Sequence, residues 1–186
     1  ACRRLGGRRT EAPRQPGAKV GPQAYALEAI EPRLLLSGTA GIVGSTLQTN
    51  LTGVADSVVL TQTGVNTVLV NIDNGAFSQS FSGFSSILID GLGGDDLITL
   101  NFNAATLGAS LSVLGGAGND SVSFNGSLVL GANALNVNAE SVTVNGSSAI
   151  SGATTATLAA QGDTSATLVV NSSLSASGAV VLSATA

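Results

Sequence analysis

Three features of the sequence predict an all-β chain wound as a parallel β-solenoid (β-helix). Short runs of Val, Leu, Ile and Thr alternate with Gly, Asn, Ser and Asp; a glycine-rich turn recurs after some two dozen residues; and the composition is 44% apolar but only 3% aromatic. In a narrow solenoid each coil buries little alone and rests on the next. Side chains then stack on neighbours about 4.8 Å away. Small and aliphatic residues fit that stacking, which accounts for the scarcity of aromatics. The alternative is an antiparallel β-sandwich, favoured by one hairpin signal, although most of the strands are short for that architecture.

From about Val54 the elements can be read in order. Ser57 to Gln62 and Thr67 to Ile72 have strand patterning, and Asn74-Gly75 between them and the Phe77, Phe81 run predicts a hairpin with a type I′ turn. Shorter strands follow at Ser86 to Ile89, Leu97 to Phe102, Leu111 to Leu114, Val122 to Phe124, Leu128 to Leu130, Leu135 to Val137 and Val142 to Val144. The turn DGLGGDDL from Asp90 to Leu97 recurs as GGAGNDSV from Gly115 to Val122, setting Asp95 against Asp120 at an offset of 25. Ala156 to Leu158 and Val180 to Leu182 repeat at an offset of 24. The expected organisation is a basic, largely disordered segment over 1–40, a hairpin-containing cap or first coil over 41–85 and solenoid repeats over 86–186. With no initiator at Ala1 and a patterned stretch running to Ala186, the chain reads as a piece of a longer protein, truncated at its C-terminal side.

Charge and composition exclude much familiar chemistry. All seven basic residues lie in the first 33 positions, and the rest of the chain carries eight carboxylates and no cation. Such a body has nothing to neutralise phosphates, so nucleic acid is not an expected partner. Histidine, tryptophan and methionine are absent and Cys2 is the only cysteine. Cys/His zinc sites, histidine-dependent triads and an internal disulfide framework are therefore excluded. No apolar run is long enough for a membrane-spanning helix. The Arg3-Arg4 and Arg8-Arg9 pairs lack the apolar stretch that a secretory signal needs.

The remaining glycine and acid motifs do not assemble an enzyme. Gly91-Leu92-Gly93 and Gly116-Ala117-Gly118 lack both the third glycine of a dinucleotide fingerprint and the Gly-Lys-Ser/Thr of a phosphate cradle. A lyase base is missing, since no basic residue follows Arg33, and the body has no Trp or Tyr platform for a sugar. Asn-x-Ser/Thr triplets begin at Asn50, Asn119, Asn125, Asn145 and Asn171, as chance allows in so Asn-, Ser- and Thr-rich a chain.

One motif points to a metal. Gly115 to Ser123 fits the nonapeptide G-G-x-G-x-D-x-U-x, and Asp90 to Ile98 fits it apart from Asp90 at the first position. These segments resemble the calcium-binding repeats of the hemolysin-type (RTX) family. The resemblance implies calcium ligation by Asp95 and Asp120 and by turn glycines such as Gly93 and Gly118, with Asp90 and Asp96 nearby. Here each nonapeptide stands alone, where the family runs them in tandem. Electrostatics points the same way: two carboxylates one ladder spacing apart repel by about 1 kcal/mol in water and about 3.5 at an effective dielectric of 20. A hard cation would remove that penalty.

The head carries a second resemblance. LEAIEPRLLLS, from Leu27 to Ser37, resembles the LEPR-XLL motif of very long bacterial repeat proteins, with EPRLLL intact from Glu31 to Leu36 and Ile30 where leucine is usual. It covers about a dozen residues and follows an arginine-rich stretch, as in that family. The resemblance implies export or sorting through the head, engagement of secretion machinery, an extracellular or cell-surface location and an adhesin-like repeat array. The expected function is therefore structural or adhesive rather than catalytic, with an unidentified protein or polysaccharide as surface ligand. The alternative is a secretion or spacer module of a larger secreted enzyme.

Overall fold

A computed structural model describes residues 38–162 and 165–186. The expectations placed on the basic head, Cys2 and the Leu27 to Ser37 motif lie outside the described residues. The chain forms a nearly all-β parallel solenoid of about four turns, with no α-helix among the described residues. No helix among them is long and apolar enough to cross a membrane.

The strands are β1 (Thr39–Val43), β2 (Thr46–Asn50), β3 (Ser57–Gly64), β4 (Thr67–Ile72), β5 (Phe77–Ser82), β6 (Ser86–Asp90), β7 (Leu97–Asn101), β8 (Ser110–Leu114), β9 (Ser121–Asn125), β10 (Leu128–Ala139), β11 (Ser141–Val144), β12 (Ala149–Gln161), β13 (Thr167–Val170), β14 (Ser173–Ala176) and β15 (Val180–Thr185). They form two sheets. One runs β1-β2-β6-β8-β10-β12-β14, with β15 also on β12, and the other runs β13-β11-β9-β7-β3-β4-β5. Pairing is parallel except for β1 with β2 and within the β3-β4-β5 meander.

Alternation explains why these residues make strands. In β6, β8 and β9 every second side chain is buried, as a half-buried strand requires. Register then stacks the inward positions into columns. Leu47, Ile87, Leu111, Leu135 and Ala156 form one column in the first sheet. Val58, Ile98, Val122, Val142 and Leu168 form another in the second. Phe102 and Phe124 stack at 6.3 Å inside the core. At the end of the second sheet's strands, Asn145 Nδ2 donates to Asn125 Oδ1 at 2.7 Å and Asn125 Nδ2 to Asn101 Oδ1 at 3.0 Å. This amide ladder engages two of the Asn-x-Ser/Thr side chains.

Coil length varies while the strands of successive coils stay paired. Ser86 lies beside Ser110 and Ala156 beside Val180, both offsets of 24, the second being the repeat read from the sequence. Leu47 lies beside Ile87 at an offset of 40, and the excess of 16 residues is the β4–β5 excursion. Its hairpin differs from the expected two-residue type I′ turn. Ile72 pairs with Phe77, so four residues make the turn, with Asp73, Asn74 and Gly75 all at positive φ. Asn74 and Gly75 still supply the left-handed conformations that these residue types tolerate.

Candidate functional site: an acidic corner

Four passages from the first sheet to the second end in an acid just before the next strand, whereas the passage from β12 to β13 ends in Ala166. The corners are Leu51 to Asp56, Gly91 to Asp96 and Gly115 to Asp120, and between β10 and β11 the corner shrinks to Glu140 alone. The four acids form a column. The Asp56 N–H donates to Asp96 Oδ1 at 2.8 Å, the Asp96 N–H to Asp120 Oδ1 at 2.9 Å and the Asp120 N–H to Glu140 Oε2 at 2.8 Å. Their carbonyls accept from the following coil: Leu97 N–H bonds Asp56, Ser121 bonds Asp96, Ser141 bonds Asp120 and Thr167 bonds Glu140, each at 2.9 Å.

This register corrects the expected pairing of Asp95 with Asp120. Leu97 lies beside Ser121, so Asp96 is the coil-mate of Asp120, and Asp95 is that of Asn119. The repeat is 24 residues, and the elements shared by the two corners are Gly91 with Gly115, Gly94 with Gly118 and Asp96 with Asp120. The adjacent acids Asp95 and Asp96 made a one-residue slip invisible in the sequence.

The residues expected to hold calcium have other partners. Asp95, exposed, accepts the Asn119 N–H at 2.9 Å, and Asp90 accepts the Leu92 N–H at 3.2 Å within its own turn. Gly93 donates to the carbonyls of Thr52 and Gly91. Gly118, at φ 140, passes so close to the Gly94 carbonyl that a Cβ would collide with it. The turn carbonyls of Leu92 and Ala117 accept the N–H groups of Ala117 and Gly94 from the adjoining coil. Calcium takes about six to eight converging oxygens. Among the described residues no group of three or more His, Cys, Asp or Glu is placed to hold a metal.

Asp56, Asp96 and Asp120 are buried, and Asp56 Oδ1, Asp96 Oδ2 and Asp120 Oδ2 have no hydrogen-bond partner. Burial pushes the Asp96 carboxyl up to about 6, against the lowering influence of the Asp56 N–H and with the charges of Asp120, Asp56 and Asp73 adding to the rise. Burial also raises Asp120, the Asp96 N–H opposing it and the Glu140 charge adding to it.

No family model matches the chain, and no curated protein or solved structure matches it significantly.

Beside the column, the short Glu140 corner sets the wall back below the longer Gly115 to Asp120 turn. The recess has a volume of about 680 Å³ and is lined by Gly118, Asn119, Glu140 and Gln161 among others. One carboxylate and two side-chain amides can hydrogen-bond neutral polar groups. Sequence reasoning missed Asp56 and Glu140. The signal for them was an acid directly before Ser-Val, present at Asp56-Ser57-Val58, Asp120-Ser121-Val122 and Glu140-Ser141-Val142.

Proposed function

We propose that the chain is a structural or adhesive repeat region of a secreted or cell-surface bacterial protein. The observation that carries this reading is the unbroken stacking of aliphatic columns coil upon coil, an arrangement that builds length and surface. The LEPR-XLL-like segment supports export, and the Ser, Thr and Asn side chains that face outward along both sheets support contact with neutral polar partners such as polysaccharide. A reporter enzyme fused behind residues 1–186 should be recovered outside a bacterial host or on its surface, and a fusion without the Leu27 to Ser37 motif should stay inside. Equal retention of both fusions in the cytoplasm overturns the export reading. Immobilised chain should retain cells or matrix glycans above the level of a charge-matched control protein, and retention equal to the control reduces the role to a spacer.

A further inference from the structure

We infer that the Asp56-Asp96-Asp120-Glu140 column is a metal-free latch between coils, in which a side-chain oxygen, and neither an ion nor the negative charge, holds each corner on the next. The backbone requires such an acceptor. At the corner the N–H of the last residue finds its acceptor in a side chain of the following coil and not in a carbonyl. An orphaned buried N–H costs about 1 to 3 kcal/mol. The carboxylate of the following coil fills that place three times in succession, at 2.8, 2.9 and 2.8 Å.

Three further observations favour an acceptor over an ion site. The second carboxylate oxygen lies packed against glycine: a Cβ on Gly91 would stand 2.6 Å from Asp96 Oδ2, and one on Gly115 2.5 Å from Asp120 Oδ2. At the N-terminal end of the column Asp56 turns its Oδ2 back onto Thr52, accepting from both its N–H and its hydroxyl at 2.7 Å. At the other end the corner is one residue long and the acid is Glu140, whose extra methylene gives its carboxylate the reach that the shortened turn removes.

The test measures melting of the full chain in excess calcium and in chelator, together with residue-resolved amide exchange in the parent, Asp96→Asn and Asp96→Ala. The parent should melt at the same temperature in both media. Asp96→Asn keeps the Oδ1 acceptor and should leave exchange at the Asp56 amide within about threefold of the parent, whereas Asp96→Ala should speed it by about fivefold or more, as loss of one hydrogen bond implies. The amides of Val142 and Val144 serve as the unaffected reference. A calcium-dependent rise in melting temperature that Asp96→Asn abolishes overturns the latch, as does an Asn variant that exposes the Asp56 amide as fully as Ala does. Should the Ala variant fail to fold, the calcium comparison and the Asn variant still decide the matter.

Discussion

Gly115 has no side chain because the Asp120 carboxylate occupies the place where one would go. An added Cβ would meet Asp120 Oδ2 at 2.5 Å and its Cβ at 2.7 Å, within a buried corner that cannot yield. Gly115→Ala should therefore cost about 1 to 3 kcal/mol, measured by urea unfolding. Gly53→Ala, in the first corner with open space around it, should change stability by under about 1 kcal/mol, in the stabilising direction. The raised Asp96 pKa gives a pH dependence with a definite sign. Unfolded, Asp96 releases its proton near 3.8; folded, it holds it to about 6. Between those values the folded state binds the extra proton, so this group's stabilisation is full below the window and lost as pH rises through it. The urea midpoint should be higher near pH 4 than near pH 7 by an amount that Asp96→Asn reduces. At this scale the glycine spacing in the sequence singled out Asp120 correctly but chose Asp95 in place of its neighbour Asp96. The sequence concealed their partners, because Asp56 and Glu140 stand at offsets of 40 and 20 from the neighbouring column members rather than at the repeat length.

Strands of five or so alternating residues were legible because alternation is a local property. Thr67 to Ile72 coincides with β4, and Ser86 to Ile89 falls one residue short of β6. The longest strands were not legible. Leu128 to Leu130 and Leu135 to Val137 read as two elements separated by the four residues Gly131 to Ala134, yet all belong to β10, which bends there through a bulge with Gly131 and Ala132 at positive φ. Turn chemistry marks the bend correctly but does not say whether the ladder continues through it. β1 and β2 were missed because Gly41 interrupts the apolar pattern of Thr39–Val43 and Leu47 is the one aliphatic residue of Thr46–Asn50. Within the second sheet, Phe124 fills the core against Phe102, so Phe124→Ala should cost about 3 to 5 kcal/mol in the same unfolding assay. The Glu140 corner makes a finer prediction. Glu140→Asp withdraws the carboxylate from the Asp120 N–H and should cost about 1 kcal/mol, while Glu140→Gln retains the acceptor and should cost less.

Across the whole solenoid, stability should grade along the axis, because each coil gains most of its burial from its two neighbours. Leu158 is fully buried, whereas its coil-mate Leu182 is 49% exposed. Leu158→Ala should therefore cost about 2 to 5 kcal/mol. Leu182→Ala should cost less than half as much, and amides in β13, β14 and β15 should exchange faster than those in β7, β8 and β9. Winding in coils of about two dozen residues was readable from repeats such as Ala156 with Val180, since stacking copies one pattern onto the next. The antiparallel β3-β4-β5 meander breaks that periodicity and could be recognised only as a hairpin. Its presence has an architectural corollary. The connecting segments range from a single residue at Glu140 to an excursion that adds 16, yet the graduations of the scaffold stay evenly spaced. Pitch and ornament are thus inherited separately, and a bend can be lengthened, trimmed or decorated without recalibrating the ruler beneath it.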